Sequence, residues 1–133
     1  METARTSAKR IRLSASAGQR SQLRTQRIVI HGAEYIDFVL PADIRYLRAE
    51  SNYCMFILMD GRTILASKPL AHYQSTLEGA GFIRPHQSFL VNPTQVRRVR
   101  KVPACALCMS DDSEIPVSRA RKGSVVELLT TCP

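Results

Sequence analysis

The residues best equipped for chemistry lie within residues 82–96, F-I-R-P-H-Q-S-F-L-V-N-P-T-Q-V. Arg84, His86, Gln87 and Ser88 stand just ahead of the apolar run Phe89-Leu90-Val91, and Asn92-Pro93 closes that run. A solvated loop beside a core strand needs no such set of hydrogen-bonding types. A surface that meets phosphates and base edges does, because these side chains donate and accept with defined geometry. A hydrolytic use would pair His86 with Ser88 and an acid such as Asp60. The glycine-flanked serine of a nucleophile elbow is missing, so no enzyme is expected.

A second polar segment follows about 30 residues later, I-P-V-S-R-A-R-K-G over residues 115–123. It reads as a strand running into a helix capped by Ser118, with Arg119, Arg121 and Lys122 in the first turn. Cations there oppose the helix dipole. Phosphate at a helix N-terminus would compensate, since free backbone N–H groups also point at it. Arg97, Arg98, Arg100 and Lys101 form a further basic run. In a strand they alternate faces, which suits a solvated edge strand that resists aggregation better than a single ligand site. Cys105-x-x-Cys108 has no second pair with metal-site spacing and sits in an apolar stretch. Buried thiols, with no metal and no cofactor, are expected.

The two polar segments together resemble the LytTR family of bacterial DNA-binding domains, whose marks are F-x-R-x-H-x-S-x-x-V-N and a later I-P-V-S-R. The resemblance implies that the H-x-S loop faces DNA, with His86 and Ser88 near phosphates and Gln87 toward the major groove. There the Gln87 amide could pair with adenine N6 and N7. It also implies that Arg119 enters the groove, where a guanidinium can grip guanine O6 and N7. Lys122 falls where family members contact backbone, and Arg121 belongs to the same DNA-facing segment. Ser51, Asn52 and Tyr53 occupy a loop from which family members also contact DNA; Glu50 beside them is an awkward neighbour unless it accepts from cytosine N4.

The function implied is a sequence-specific, double-stranded DNA-binding transcriptional regulator, monomeric or weakly dimeric on DNA. The alternative is a protein-interaction module of a bacterial signalling pathway, whose partner would be a sensor or other regulatory protein. Pro85 departs from the family pattern. Lacking a backbone donor, it marks its strand as an edge or as ending there. Many family members carry an N-terminal receiver or sensor domain. Only about 25 residues precede the resemblance here, which suggests a stand-alone regulator or an excised output domain of two-component signalling.

The scaffold that must position these residues reads as mainly β, with antiparallel strands, one short mid-chain helix and a C-terminal helix. Ile28 and Ile30 mark a first strand, turned by His31-Gly32. Residues 34–40 place Ile36, Phe38 and Leu40 on one face. Residues 44–47 start another strand. Residues 53–59 are nearly all apolar, as for a strand buried on both faces, and Asp60-Gly61 turns them back. Ser67 is the expected cap of a helix with Leu70, Tyr73 and Leu77 on one stripe, stopped by Gly79 and Gly81. Two β segments flank Pro103, and Ser110-Asp111-Asp112-Ser113 turns into the last strand. The final helix is expected to pack through Val125, Val126, Leu128 and Leu129.

Composition bounds the rest. The 133 residues carry 19 Lys and Arg against 11 Asp and Glu, a net charge of +8, with 44% hydrophobic residues to build a core. Such a basic domain can attract nucleic acid, anionic lipid or an acidic protein. No apolar run approaches the roughly 20 residues of a membrane span, and no secretory signal pattern opens the chain, so a cytoplasmic location with reduced cysteines is expected. Residues 1–25 hold six cations and one acid, Glu2, hence +5 of the +8. They read as a disordered basic arm. A solvated tail, a DNA-tracking arm and a transit peptide all fit that composition. Residues 26–133 are the expected domain.

Overall fold

A computed structural model describes residues 26–131. The expected basic arm therefore lies outside the described residues, as does Cys132. The strands are β1 (Ile28–His31), β2 (Ile36–Val39), β3 (Ile44–Glu50), β4 (Tyr53–Leu58), β5 (Thr63–Ala66), β6 (Ile83–His86), β7 (Phe89–Val91), β8 (Val96–Arg100), β9 (Ala106–Met109) and β10 (Glu114–Pro116). The helices are α1 (Leu70–Gly79) and α2 (Lys122–Thr131). No helix among the described residues is long and apolar enough to cross a membrane.

The centre is an antiparallel five-stranded sheet in the order β5-β4-β3-β7-β6. Alternation along its strands feeds two cores. In β3, Leu47 pairs with Phe56 of β4 and Leu90 of β7, and all three face α1 and the β1–β2 hairpin. The neighbouring Tyr46 pairs with Ile57 and Val91, and these face the second sheet, β10-β9-β8, and α2. β4 is thus apolar on both sides, as its composition requires. Fully burying a side chain such as Leu47 or Phe56 stabilises the fold by about 1.5–3 kcal/mol.

Local signals explain the turns. Gly61 adopts φ +93 between β4 and β5, and Asp60 accepts from the Arg62 N–H at 3.0 Å. α1 ends in a Schellman turn: Phe82 N–H donates to Leu77 O at 2.9 Å and Gly81 N–H to Glu78 O at 3.0 Å. Gly81 supplies the φ of +105 that this turn needs.

Four local expectations change. Ser67 does not cap α1; Pro69 occupies that position without a side-chain bond. Ser67 instead donates both its N–H and its hydroxyl to His31 O, at 2.7 and 2.9 Å, tying the end of β5 to β1. Ser118 precedes a 3-10 turn, Arg119–Arg121, its hydroxyl makes no capping bond, and α2 proper starts at Lys122. α2 buries Val125 and half-buries Leu129, one turn apart on the same face, while Leu128 is 47% exposed. Finally, β2 alternates as expected, but its Ile36 and Phe38 face is the outer one, 54% and 55% exposed. Val39 on the other face meets the core and pairs with Ile28.

Candidate nucleic-acid interface

Antiparallel pairing brings three segments far apart in sequence to one end of the structure. β3 ends and β4 begins at the Ser51-Asn52 turn, where Ser51 takes φ 62. Beside it lies the turn between β6 and β7. His86 pairs with Phe89, so Gln87 and Ser88 are the connecting residues, and Ser88 O accepts from Ala49 N–H at 2.8 Å. The third segment leaves β10 at the same end: Ser118 N–H donates to Pro85 O at 2.9 Å. Ser51, Asn52, Tyr53, Gln87, Arg119 and Lys122 are exposed there, and His86, Ser88 and Arg121 are half-buried.

The β6–β7 turn is braced from below by Arg84. Its Nε donates to His86 O at 3.1 Å, one amino group donates to Gln87 O, and the other to Gln74 Oε1 on α1. Burial, and then repulsion from Arg121, hold the Arg84 guanidinium below its usual pKa, with Glu78 acting the other way. Arg84 stood among the reading residues by type. Its donors are engaged inward, so it holds the turn that carries Gln87. Only the tertiary neighbours Gln74 and Arg121 reveal this.

His86 Nδ1 accepts from Ser88 N–H at 3.1 Å. With Nδ1 accepting, Nε2 is the ring nitrogen left to donate to another group. Phe89 packs against the ring, centroids 6.0 Å apart. Arg121 Nη1 donates to Arg84 O at 3.3 Å, so one of its amino groups braces β6. Arg119 beside it is exposed and fully able to reach outward. Glu50, the awkward acid, pairs with Arg48 Nε at 2.7 Å, which offsets its charge next to the turn.

Two other polar groups are elsewhere. Asn92 is 6% exposed and serves the opposite end. Its Nδ2 donates to Ile44 O at 3.0 Å, and its Oδ1 accepts from Thr94 N–H and hydroxyl at 3.1 and 2.8 Å. Asp60 also lies at that far end, bound to Arg62 at 2.7 Å, so it cannot join His86 and Ser88. Cys105 and Cys108 are free and buried. Cys54 in the first core is buried as well, and burial pushes its thiol up to about 12.

β8 is the edge of its sheet, as its charge suggested. A bulge between Val96 and Arg98 turns both Arg97 and Arg98 outward rather than to alternate faces. Pro85 likewise sits on an edge strand, β6, and is fully buried.

The comparisons with known proteins come down on the same side. No curated protein matches the chain significantly. Among solved structures, the chain is similar to the LytTr DNA-binding domain of a Bacillus cereus protein described as a methyl-accepting/DNA response regulator. Identity is 21%, the TM-score is 0.67, and the match covers 78% of this chain and 96% of that one, which establishes a shared fold. The family model of the LytTr DNA-binding domain matches residues 35–130. These residues include the β3–β4 turn, the β6–β7 turn and the Ser118–Lys122 segment, and the chain belongs to the LytTR DNA-binding domain family.

Proposed function

We propose that this chain is a sequence-specific regulator of transcription that reads the major groove of double-stranded DNA. The observation that carries the reading is the convergence at one end of Gln87, Arg119 and the Ser51-Asn52 turn. Gln87 and Arg119 are the base-reading side chains. His86 through Nε2, Ser88 and Lys122 meet phosphates, and Ser51, Asn52 and Tyr53 add contacts from the neighbouring turn. Arg121 contributes its charge there while bracing β6. Phosphate contacts supply most of the affinity and base contacts the preference. The protein works as a monomer or weak dimer on its operator, in the cytoplasm, without a cofactor.

Selection of sites from a random DNA pool, followed by binding of the selected and a random duplex over a salt series, tests this. A steep fall of affinity with salt and an enriched motif are expected. Arg119→Ala weakens the selected site by roughly 1–3 kcal/mol and relaxes one base pair. Equal losses on both duplexes would make Arg119 a phosphate contact.

One observation favours the second reading, a module that docks a regulatory protein. Val29, Ile36 and Phe38 form an exposed apolar face on the β1–β2 hairpin, 41%, 54% and 55% exposed, with Arg27 over the Phe38 ring at 5.2 Å. A protein-only module would show no salt-dependent affinity for random duplex.

A further inference from the structure

The basic run on β8 divides once the sheet is formed. Arg97 pairs with Asp112, and Arg100 with Glu114 at 3.2 Å. Arg98 lies mid-strand, opposite Cys108. Lys101 is exposed just past the strand and pairs with no acid among the described residues. Its position follows from register. Arg100 stands opposite Ala106, and Ala106 opposite Pro116, so the three share one row across the sheet. In the next row Val117 N–H donates to Cys105 O at 3.1 Å. Beyond that row come residues 101–104 on one side and Ser118 on the other. The β8–β9 loop therefore leaves the sheet at the end where Arg119 does. Every residue of 101–104 is exposed, Val102 at 75%.

We propose that the β8–β9 loop, through Lys101, makes a fourth contact to the duplex, on a backbone phosphate flanking the groove that Arg119 enters. This rests on the DNA-binding reading above and adds a residue to it. The spacing favours a phosphate as the target. β8 is two strands from β10, so the loop lies about 10 Å to the side of the Ser118 segment. A major groove is about 12 Å wide, so with the sheet lying across the groove a side chain displaced that far from a groove-centred arginine stands over the backbone rather than over base edges. An ammonium on a flexible stem suits a phosphate there, a point charge needing no fixed angle.

The test uses the full chain, with Lys101→Gln set against Arg98→Gln. Both remove one exposed cation from the same region, but Arg98 is at the middle of β8, away from the end that carries the loop. Binding to a random-sequence duplex and to a selected site is measured over a salt series. Lys101→Gln is expected to weaken both duplexes about equally, by roughly three- to tenfold, and to reduce the salt slope by about 0.9, the value of one phosphate contact. Arg98→Gln should leave the slope unchanged. Equal slope changes in the two variants, or no change with Lys101→Gln, overturn the fourth contact while leaving the DNA-binding reading intact. Failure of the unmutated chain to bind either duplex sinks both.

Discussion

The backbone N–H of Ser118 donates to the carbonyl of Pro85 at 2.9 Å, joining two motif residues 33 positions apart in the chain. Proline removes a donor from β6 but keeps its acceptor, and that acceptor receives the segment carrying Arg119. The edge strand that proline marks is therefore where the second polar segment docks. Arg121 reinforces the join by donating to Arg84 O.

On the proposed role of Gln87, Arg84→Ala should flatten base preference at one position, losing roughly 1–3 kcal/mol of discrimination, while the salt slope stays near wild type. The His86 and Gln87 carbonyls lose their common donor, so the turn no longer holds one geometry. Arg84→Lys should recover little, because a single ammonium cannot reproduce the guanidinium fork. A base-preference matrix that matches wild type in both variants would remove this positioning role.

Gln87→Ala and His86→Ala should act differently. Gln87 is exposed and between two half-buried neighbours, so its loss should change the preferred base at one position and barely affect random duplex. His86→Ala should weaken all sequences together. Exchange of these outcomes between the two variants would reverse the assigned roles.

Asn92→Ala should destabilise the fold by about 1–3 kcal/mol in urea titration, since it leaves the buried Ile44 carbonyl and the Thr94 N–H without their partner. Base preference should not move, because Asn92 is at the end remote from Gln87. A shifted preference matrix in a stably folded variant would contradict that placement.

Asp111→Asn should lower Tm at pH 7 and not at acid pH. Burial acts to raise the Asp111 pKa, but bonds from Ser113 and the charge of Arg45 outweigh it and hold the group below its ordinary 3.8. The unfolded chain thus binds the proton more tightly than the folded one. The stabilisation is complete above the unfolded value and is lost as pH falls from about 3.8 through the lower folded one. Its size at neutral pH is about 1 kcal/mol, as for a partly exposed pair. A Tm gap constant from pH 7 down to pH 2 would exclude this carboxylate as its source.

Some of this was legible in the chain because it depends on near neighbours. The Asp60-Gly61 turn, the stop at Gly81 and the double-sided β4 follow from backbone freedom at glycine and from side-chain period. So did the edge status of β6, through one missing N–H. The motif spacing carried the family. Tertiary structure decided the rest, because it depended on partners far along the chain. The period of β2 is the same whichever face meets the core, and only packing turned Ile36 and Phe38 outward and Val39 in. Ser67 could cap a helix or tie two strands, and His31 decided it. Arg84, Gln87 and Asn92 have equally good donors as residues. Sheet register put Gln87 at the exposed end, Asn92 in the opposite core margin and Arg84 beneath the turn, because a strand's direction and its neighbours, not its composition, determine which end of the molecule a side chain serves.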